Sequence, residues 1–330
     1  MKKILFASTA LVATAGVAAA DVSFGGFGRF GVFYLENDGG DGSVDEARVE
    51  QRFRLTVTGQ TETDGGVGFE GRIRFQTDDQ ANGQSNVANN SAAGFAVTYG
   101  GLRVDVGHVS DVIDSGDVVN YYGSGVGLTS SIEQSTGHGL PASGFGTGDS
   151  PVDPTIKLRY EINSFTFSAS VTDDTSVEGT NEGDNSEYQV GFGYAFGNYK
   201  AGIAFGNTEG FTATVDNPAT PDVDESGLFD EDYVAASFSG DLGAFGFSIL
   251  VTDVDADGWD TSYGVSATYD ISAATTLVGV YSNSGNPALE DEDAYGIGVN
   301  HSLGGGVTLK AGIGEVQGNT LADMGVVFNF

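Results

Sequence analysis

Beyond residue 20 the chain carries 11 basic residues against 46 acidic ones, and the basic residues recur with a strict spacing. Arg52 and Arg54, Arg72 and Arg74, and Lys157 and Arg159 each lie two apart, which sets both side chains of a pair on one face of an extended strand. Arg29, Arg103, Lys200 and Lys310 follow the parity of their polar neighbours, so only Arg48 falls in a connecting loop. Six of these residues, Arg29, Arg52, Arg54, Arg72, Arg74 and Arg103, crowd into the first five runs of the chain and predict one basic arc. The longest gap between runs follows, Val109 to Asp153, with Asp111, Asp114 and Asp117 near its start and Glu133, Asp149 and Asp153 further on. If that segment folds back against the arginines, opposed charges create a transverse field that sorts solutes by size, charge and dipole. As a solvated surface segment the same acids would do nothing of the kind, and the residues alone favour neither reading.

Other chemistry is weakly supported. Gly26, Gly28 and Gly31 fit a dinucleotide-binding glycine pattern, but no helical pattern follows to present amides to a phosphate. Asp253, Asp255, Asp257 and Gly258 match the start of a calcium loop, yet Gly264 stands where the bidentate Glu should be. An acidic hairpin tip is the preferred reading, with weak Ca²⁺ or Mg²⁺ binding there or across the acidic outer loops as the alternative. His108, His138 and His301 lie far apart, and neither a zinc set nor a hydrolytic triad is indicated. An enzyme is therefore not expected.

The elements that carry the charged pairs are strands. Phe53, Leu55 and Val57 alternate with Arg52, Arg54, Thr56 and Thr58, and Ile156, Leu158, Tyr160 and Ile162 oppose Lys157, Arg159 and Glu161. Sixteen such runs start near residues 22, 49, 66, 93, 102, 154, 165, 186, 199, 231, 244, 259, 275, 293, 306 and 322. Tight turns at 100–101, 163–164, 197–198 and 240–243 alternate with long acidic gaps, including 36–48, 77–92, 109–153, 174–185 and 208–230. An even number of alternating strands, with short turns on one side and long loops on the other, predicts a closed antiparallel β-barrel that crosses a membrane. Tyr99, Tyr160, Phe165, Phe196, Tyr199, Phe245 and Tyr269 face outward near short turns, as an interfacial girdle requires. A lipid-facing arginine near the midplane costs about 2–4 kcal/mol, which explains the parity of the charges but not their crowding.

Residues 1–20 have the parts of an export signal: Lys2 and Lys3, an apolar stretch from Ile4 to Val17, and Ala18, Ala19 and Ala20. Cleavage is expected after Ala20, leaving residues 21–330 as a single barrel domain. With no cysteine, an exported chain has no disulfide framework. Its net charge of −33 over the full chain argues against a nucleic-acid partner.

Four features resemble, in their order over the whole mature length, the general diffusion porins of Gram-negative bacteria, of the α-proteobacterial, Rhodobacter-like type. They are the opening strand Val22-Ser-Phe-Gly-Gly-Phe-Gly-Arg-Phe-Gly, the paired-arginine strands, Gly107-His-Val-Ser-Asp-Val-Ile-Asp, and the ending Asp323-Met-Gly-Val-Val-Phe-Asn-Phe. The resemblance implies a homotrimer of sixteen-stranded outer-membrane barrels, each a water-filled channel for passive diffusion of ions and small hydrophilic solutes. It implies an eyelet with Arg29, Arg52, Arg54, Arg72, Arg74 and Arg103 on the wall and Asp111, Asp114 and Asp117 on a third loop folded into the lumen. It also implies contact with membrane lipid and lipopolysaccharide, and a C-terminal Phe330 read by the barrel assembly machinery, with no cofactor. The alternatives are a soluble acidic exported β-protein and an outer-membrane barrel with an adhesive or enzymatic role.

Overall fold

The computed structural model describes residues 20–37, 45–79, 84–142, 144–147, 153–172, 186–216, 224–256, 258–287, 289 and 291–330, with side chains left out over 209–230. The expected signal segment up to Ala19, Asp149 and Asp257 lie outside the described residues. The chain runs as β1 (Asp21–Leu35), β2 (Ala47–Glu62), β3 (Gly68–Asp78), the two-residue β4 (Asn89–Asn90), β5 (Gly94–Tyr99) and β6 (Leu102–Gly107). A single helical turn, α1 (Val112–Ser115), opens the third loop. There follow β7 (Thr155–Ile162), β8 (Phe165–Thr172), β9 (Glu187–Phe196), β10 (Tyr199–Asp216), β11 (Asp224–Leu242) and β12 (Phe245–Val254). The last five are β13 (Ser262–Ser272), β14 (Thr275–Asn283), β15 (Asp293–Gly304), β16 (Val307–Val316) and β17 (Asn319–Asn329).

Every long strand pairs antiparallel with its sequence neighbours, and β1 pairs with both β2 and β17, closing the sheet. Setting aside the short β4, the barrel has sixteen strands, fifteen of them beginning within three residues of the expected place and β11 seven residues earlier. Closure leaves no unpaired edge, the condition for a sheet to sit in hydrocarbon, where an unmet N–H or C=O costs several kcal/mol. No helix among the described residues is long and apolar enough to cross a membrane.

The distribution of apolar surface is inverted relative to a soluble sandwich. Phe24, Phe30, Phe95, Ile297, Ile313 and Met324 are all more than half exposed on the outer face. A continuous apolar belt of this size is stable only against lipid. Aromatic rings line its short-turn end, where Phe165, Tyr194, Phe196, Tyr199, Phe238 and Phe247 lie in successive contact. The deeply buried apolar side chains instead lie where the third loop meets the inner wall: Val112, Ile113, Val118, Val119, Val126 and Ile132 of the loop are each at most 1% exposed, as are Ala204, Ala235 and Leu250 of the strands. The interior therefore holds a folded loop where a globular protein has its core.

Three boundaries differ from expectation. Arg48 is not a loop residue: β2 begins at Ala47, so Arg48 shares the inward parity of Arg52 and Arg54, its guanidinium 4.2 Å from the ring of Phe33. The gap expected over 208–230 is mostly strand, because β10 runs to Asp216 and β11 starts at Asp224 in one long hairpin. The outer connection between β16 and β17 is only Gln317 and Gly318, both at positive φ, a tight turn among longer loops.

Candidate functional site

The inward parity of the basic residues is realised, and strand register decides what each one meets. Arg29 lies directly across from Arg52 in the β1–β2 ladder, and Arg103 across from Arg159 in β6–β7. Like charges directly opposed destabilise a sheet unless counter-charges intervene. They do: Arg29 pairs with Glu50, Arg52 with Asp78, and Arg48 with Asp79 at 3.0 Å. Arg54 donates to Gln76 and stacks 5.2 Å from the Phe27 ring. Arg103 bridges Glu70 at 3.0 Å and Asp105 at 2.8 Å. The arc is thus a lattice of alternating charge. Glu50, Glu70, Asp78 and Asp105 share the inward parity, while Asp79 follows the end of β3; apart from Arg103 with Asp105, two apart on β6, these pairs form across strands and leave no local signal.

The third loop follows the inner wall around half the barrel. Val112 N–H donates to Ser170 Oγ on β8 and Ile113 N–H to Gln189 Oε1 on β9. Asn120 meets Ser237 and Ser248 on β11 and β12, and Ser124 meets Ser266 on β13. At the far side Asp323 of β17, 4% exposed, accepts from Leu128 N–H at 2.8 Å and Thr129 N–H at 2.7 Å, and from the Thr129 hydroxyl. Gly127, at φ 81°, is required here: a Cβ would lie 1.9 Å from Asp323 Oδ1. The signal for this anchor was a lone inward carboxylate in the last strand, but its partners are nearly 200 residues away in sequence.

The three expected loop acids divide into different roles. Asp111 is fully buried and caps α1, accepting from Asp114 N–H at 2.6 Å. Asp114 accepts from the Tyr122 hydroxyl at 2.8 Å. Asp117 bridges Lys157 at 2.7 Å and Arg159 at 3.1 Å, while Lys200 Nζ donates to the carbonyls of Gly116 and Asp117. Burial pushes the Asp117 carboxyl up, but the charges of Lys157 and Arg159 outweigh it and hold the group below the ordinary Asp range. Glu133, between the wholly buried Ile132 and Gln134, has a carboxyl group that accepts no hydrogen bond among the described residues, and burial pushes it up to about 7.

The loop then returns to its own base. His108 Nε2 lies 3.1 Å from Gly144 O and 3.3 Å from Gly146 N. Phe145 between them is 6% exposed, with the guanidinium carbons of Arg72 and Arg74 at 4.4 and 4.5 Å from its ring centroid. Such a contact is worth about 0.5–1 kcal/mol when exposed and about 2 when desolvated. Lys310 lies on the inner face of β16, remote from this cluster and beside Asp323 and Arg29. At the expected calcium-loop position, Asp253 accepts from Thr261, and no cluster of three or more metal-ligating side chains occurs among the described residues.

A closed sixteen-stranded barrel with an apolar exterior, a charged interior and an inward-folded third loop defines the class of outer-membrane channels. The chain belongs to the Gram-negative porin family, whose profile matches residues 7–321. It is 30% identical over 326 residues to the porin of Fuscovulum blasticum and 24% identical over 344 residues to that of Rhodobacter capsulatus. Each alignment covers 94% of this chain and 100% of the relative. Two solved variants of Rhodopseudomonas blastica porin match its fold with TM-scores of 0.74 and 0.73, at 22% and 24% identity over 94% of this chain and all of theirs. The protein is accordingly a diffusion channel of the outer membrane and not an enzyme. The soluble and catalytic alternatives fall away.

Proposed function

We infer that ions and small hydrophilic solutes are selected where the arginine wall faces the third loop. Arg29, Arg52, Arg54, Arg72, Arg74 and Arg103 supply the positive side, and Asp114 and Asp117 the negative side. Asp111 serves this arrangement from behind, as the N-cap of α1 that accepts from Asp114 N–H. The supporting observation is the closeness of loop to wall: Asp117 bridges Lys157 and Arg159, and Phe145 covers Arg72 and Arg74. Opposed fixed charges across a narrow aqueous gap act on the charge and dipole of a passing solute without binding it tightly.

The test is electrical. In planar bilayers under a salt gradient, replacing Arg52, Arg54, Arg72 and Arg74 together with Gln should move the reversal potential toward cation preference. An unchanged potential would place these residues away from the narrowest point. For assembly, we infer a homotrimer embedded in lipid and lipopolysaccharide, with Phe330, 53% exposed beside Phe53 and Phe328, available to the barrel assembly machinery. Detergent-extracted protein should run as a trimer that heat converts to monomer, and migration as a monomer before heating would contradict it.

A further inference from the structure

We propose that Phe145 is a positioning residue for channel selectivity, its ring acting as a neutral cap that holds the Arg72 and Arg74 guanidiniums against the wall and screens them from the lumen. The proposal rests on the reading above, in which those arginines contribute to selection.

Arg72 and Arg74 are like charges two residues apart on one face of β3, a placement that would drive both side chains apart into the water of the pore. Most other wall arginines settle such repulsion with a carboxylate, as Arg29, Arg52 and Arg103 do. This pair does not. The Arg72 guanidinium donates no hydrogen bond among the described residues, and its close partner is the Phe145 ring. Arg74 donates through Nη1 to the Phe145 carbonyl, while its Nε is buried with no partner. The π-system of one aromatic ring is therefore what both cations share, aided by the charges of Asp114 near Arg74 and Glu70 near Arg72.

The ring is itself fixed from the other side. His108, the residue just after β6, meets it edge-on at 5.3 Å and 67°, and its Nε2 lies within hydrogen-bond reach of both flanking residues, Gly144 and Gly146. Gly144 is also tight against Asp114, where a Cβ would fall 2.9 Å from Oδ1. The base and the returning limb of the loop thus close into a clasp that sets the Phe145 ring against the two arginines. An apolar residue with no π-face would fill the space but would not hold the cations.

Phe145→Leu keeps apolar bulk and loses the ring face, and Phe145→Tyr restores the ring. Two readouts on the detergent-purified trimer separate this proposal from the selectivity reading. The first is the rate at which phenylglyoxal modifies Arg72 and Arg74, followed by peptide mass mapping. It should rise several-fold in Phe145→Leu and stay near the wild-type rate in Phe145→Tyr. The second is the reversal potential, which should move toward anion preference in Phe145→Leu and not move when Arg72 and Arg74 are already Gln. Unchanged arginine reactivity in a correctly assembled Phe145→Leu trimer overturns the proposal whatever the potential does. A potential shift of equal size in the arginine-free background also overturns it, since Phe145 would then act by displacing the loop. If arginine reactivity rises but the doubly substituted channel has wild-type selectivity, the capping stands and the selectivity role of the arginines fails.

Discussion

At the scale of single residues, the site is governed by how each carboxylate is spent. Asp323 is spent on the loop tip. Hydrogen bonds to a charged group are worth about 1.5–3 kcal/mol each, and Asp323 receives them from Leu128, Thr129 N–H and Thr129 Oγ1. Asp323→Ala should release the tip while leaving the strand ladder intact, giving a trimer of normal heat stability whose single-channel current flickers between sublevels. A steady wild-type current would show that the wall packing alone holds the loop. Glu133 makes a different prediction. Burial raises it to about 7, so the group is charged above neutrality and neutral below it. As pH falls from about 8 to about 6 the lumen loses one negative charge per barrel, and cation preference should fall with it. Reversal potentials across that range check it: Glu133→Gln should flatten the profile, and an equally steep profile in the variant would assign the titration elsewhere.

At the scale of elements, the strands were readable and the loop was not. Period-2 alternation is a local property, so the start of nearly every strand and the inward parity of Arg52, Arg54, Arg72, Arg74, Lys157 and Arg159 could be taken from neighbouring residues. Apart from Arg103 with Asp105 on β6, which acid meets which arginine depends on register between strands, and what covers Arg72 and Arg74 depends on a residue that returns from the far end of a long loop. Neither leaves a local pattern. Arg48 was misplaced because its strand opens with Ala47, a residue of low strand propensity beside an acidic gap. The path of the loop did leave one trace, in the small inward residues of the opposite wall. Gly202 of β10 and Gly264 of β13 admit the loop backbone so closely that a Cβ would lie 1.8 Å from Val118 O and 1.9 Å from Gln134 O. Gly202→Ala should therefore push the loop toward the pore axis and lower single-channel conductance, with trimer assembly preserved. Conductance equal to wild type would mean the loop can shift along the wall at no cost.

At the scale of the whole molecule two fields compete. The acidic excess reaches −35 beyond residue 20 and is concentrated in connections outside the spanning strands, while the basic residues are almost all inside the barrel. On the selectivity proposed above, the mouth favours cations and the Arg72–Arg74 side of the lumen favours anions. The two fields differ in range. Loop charges act on an approaching ion through open water, where screening sets in over about 10 Å at 0.1 M salt and about 3 Å at 1 M. The wall charges, fixed on the inner face of the strands, act at the shorter range of an ion already inside the lumen. Raising the mean salt from about 0.1 M to about 1 M at a fixed concentration ratio should therefore weaken the mouth far more than the eyelet. Cation preference is expected at low salt, and the reversal potential should drift toward the anion side as salt rises. With Arg52, Arg54, Arg72 and Arg74 replaced by Gln the drift should end near zero selectivity, because no basic arc remains to take over. A preference independent of salt in the wild-type channel would mean that one field alone, at the narrowest point, decides which ions pass.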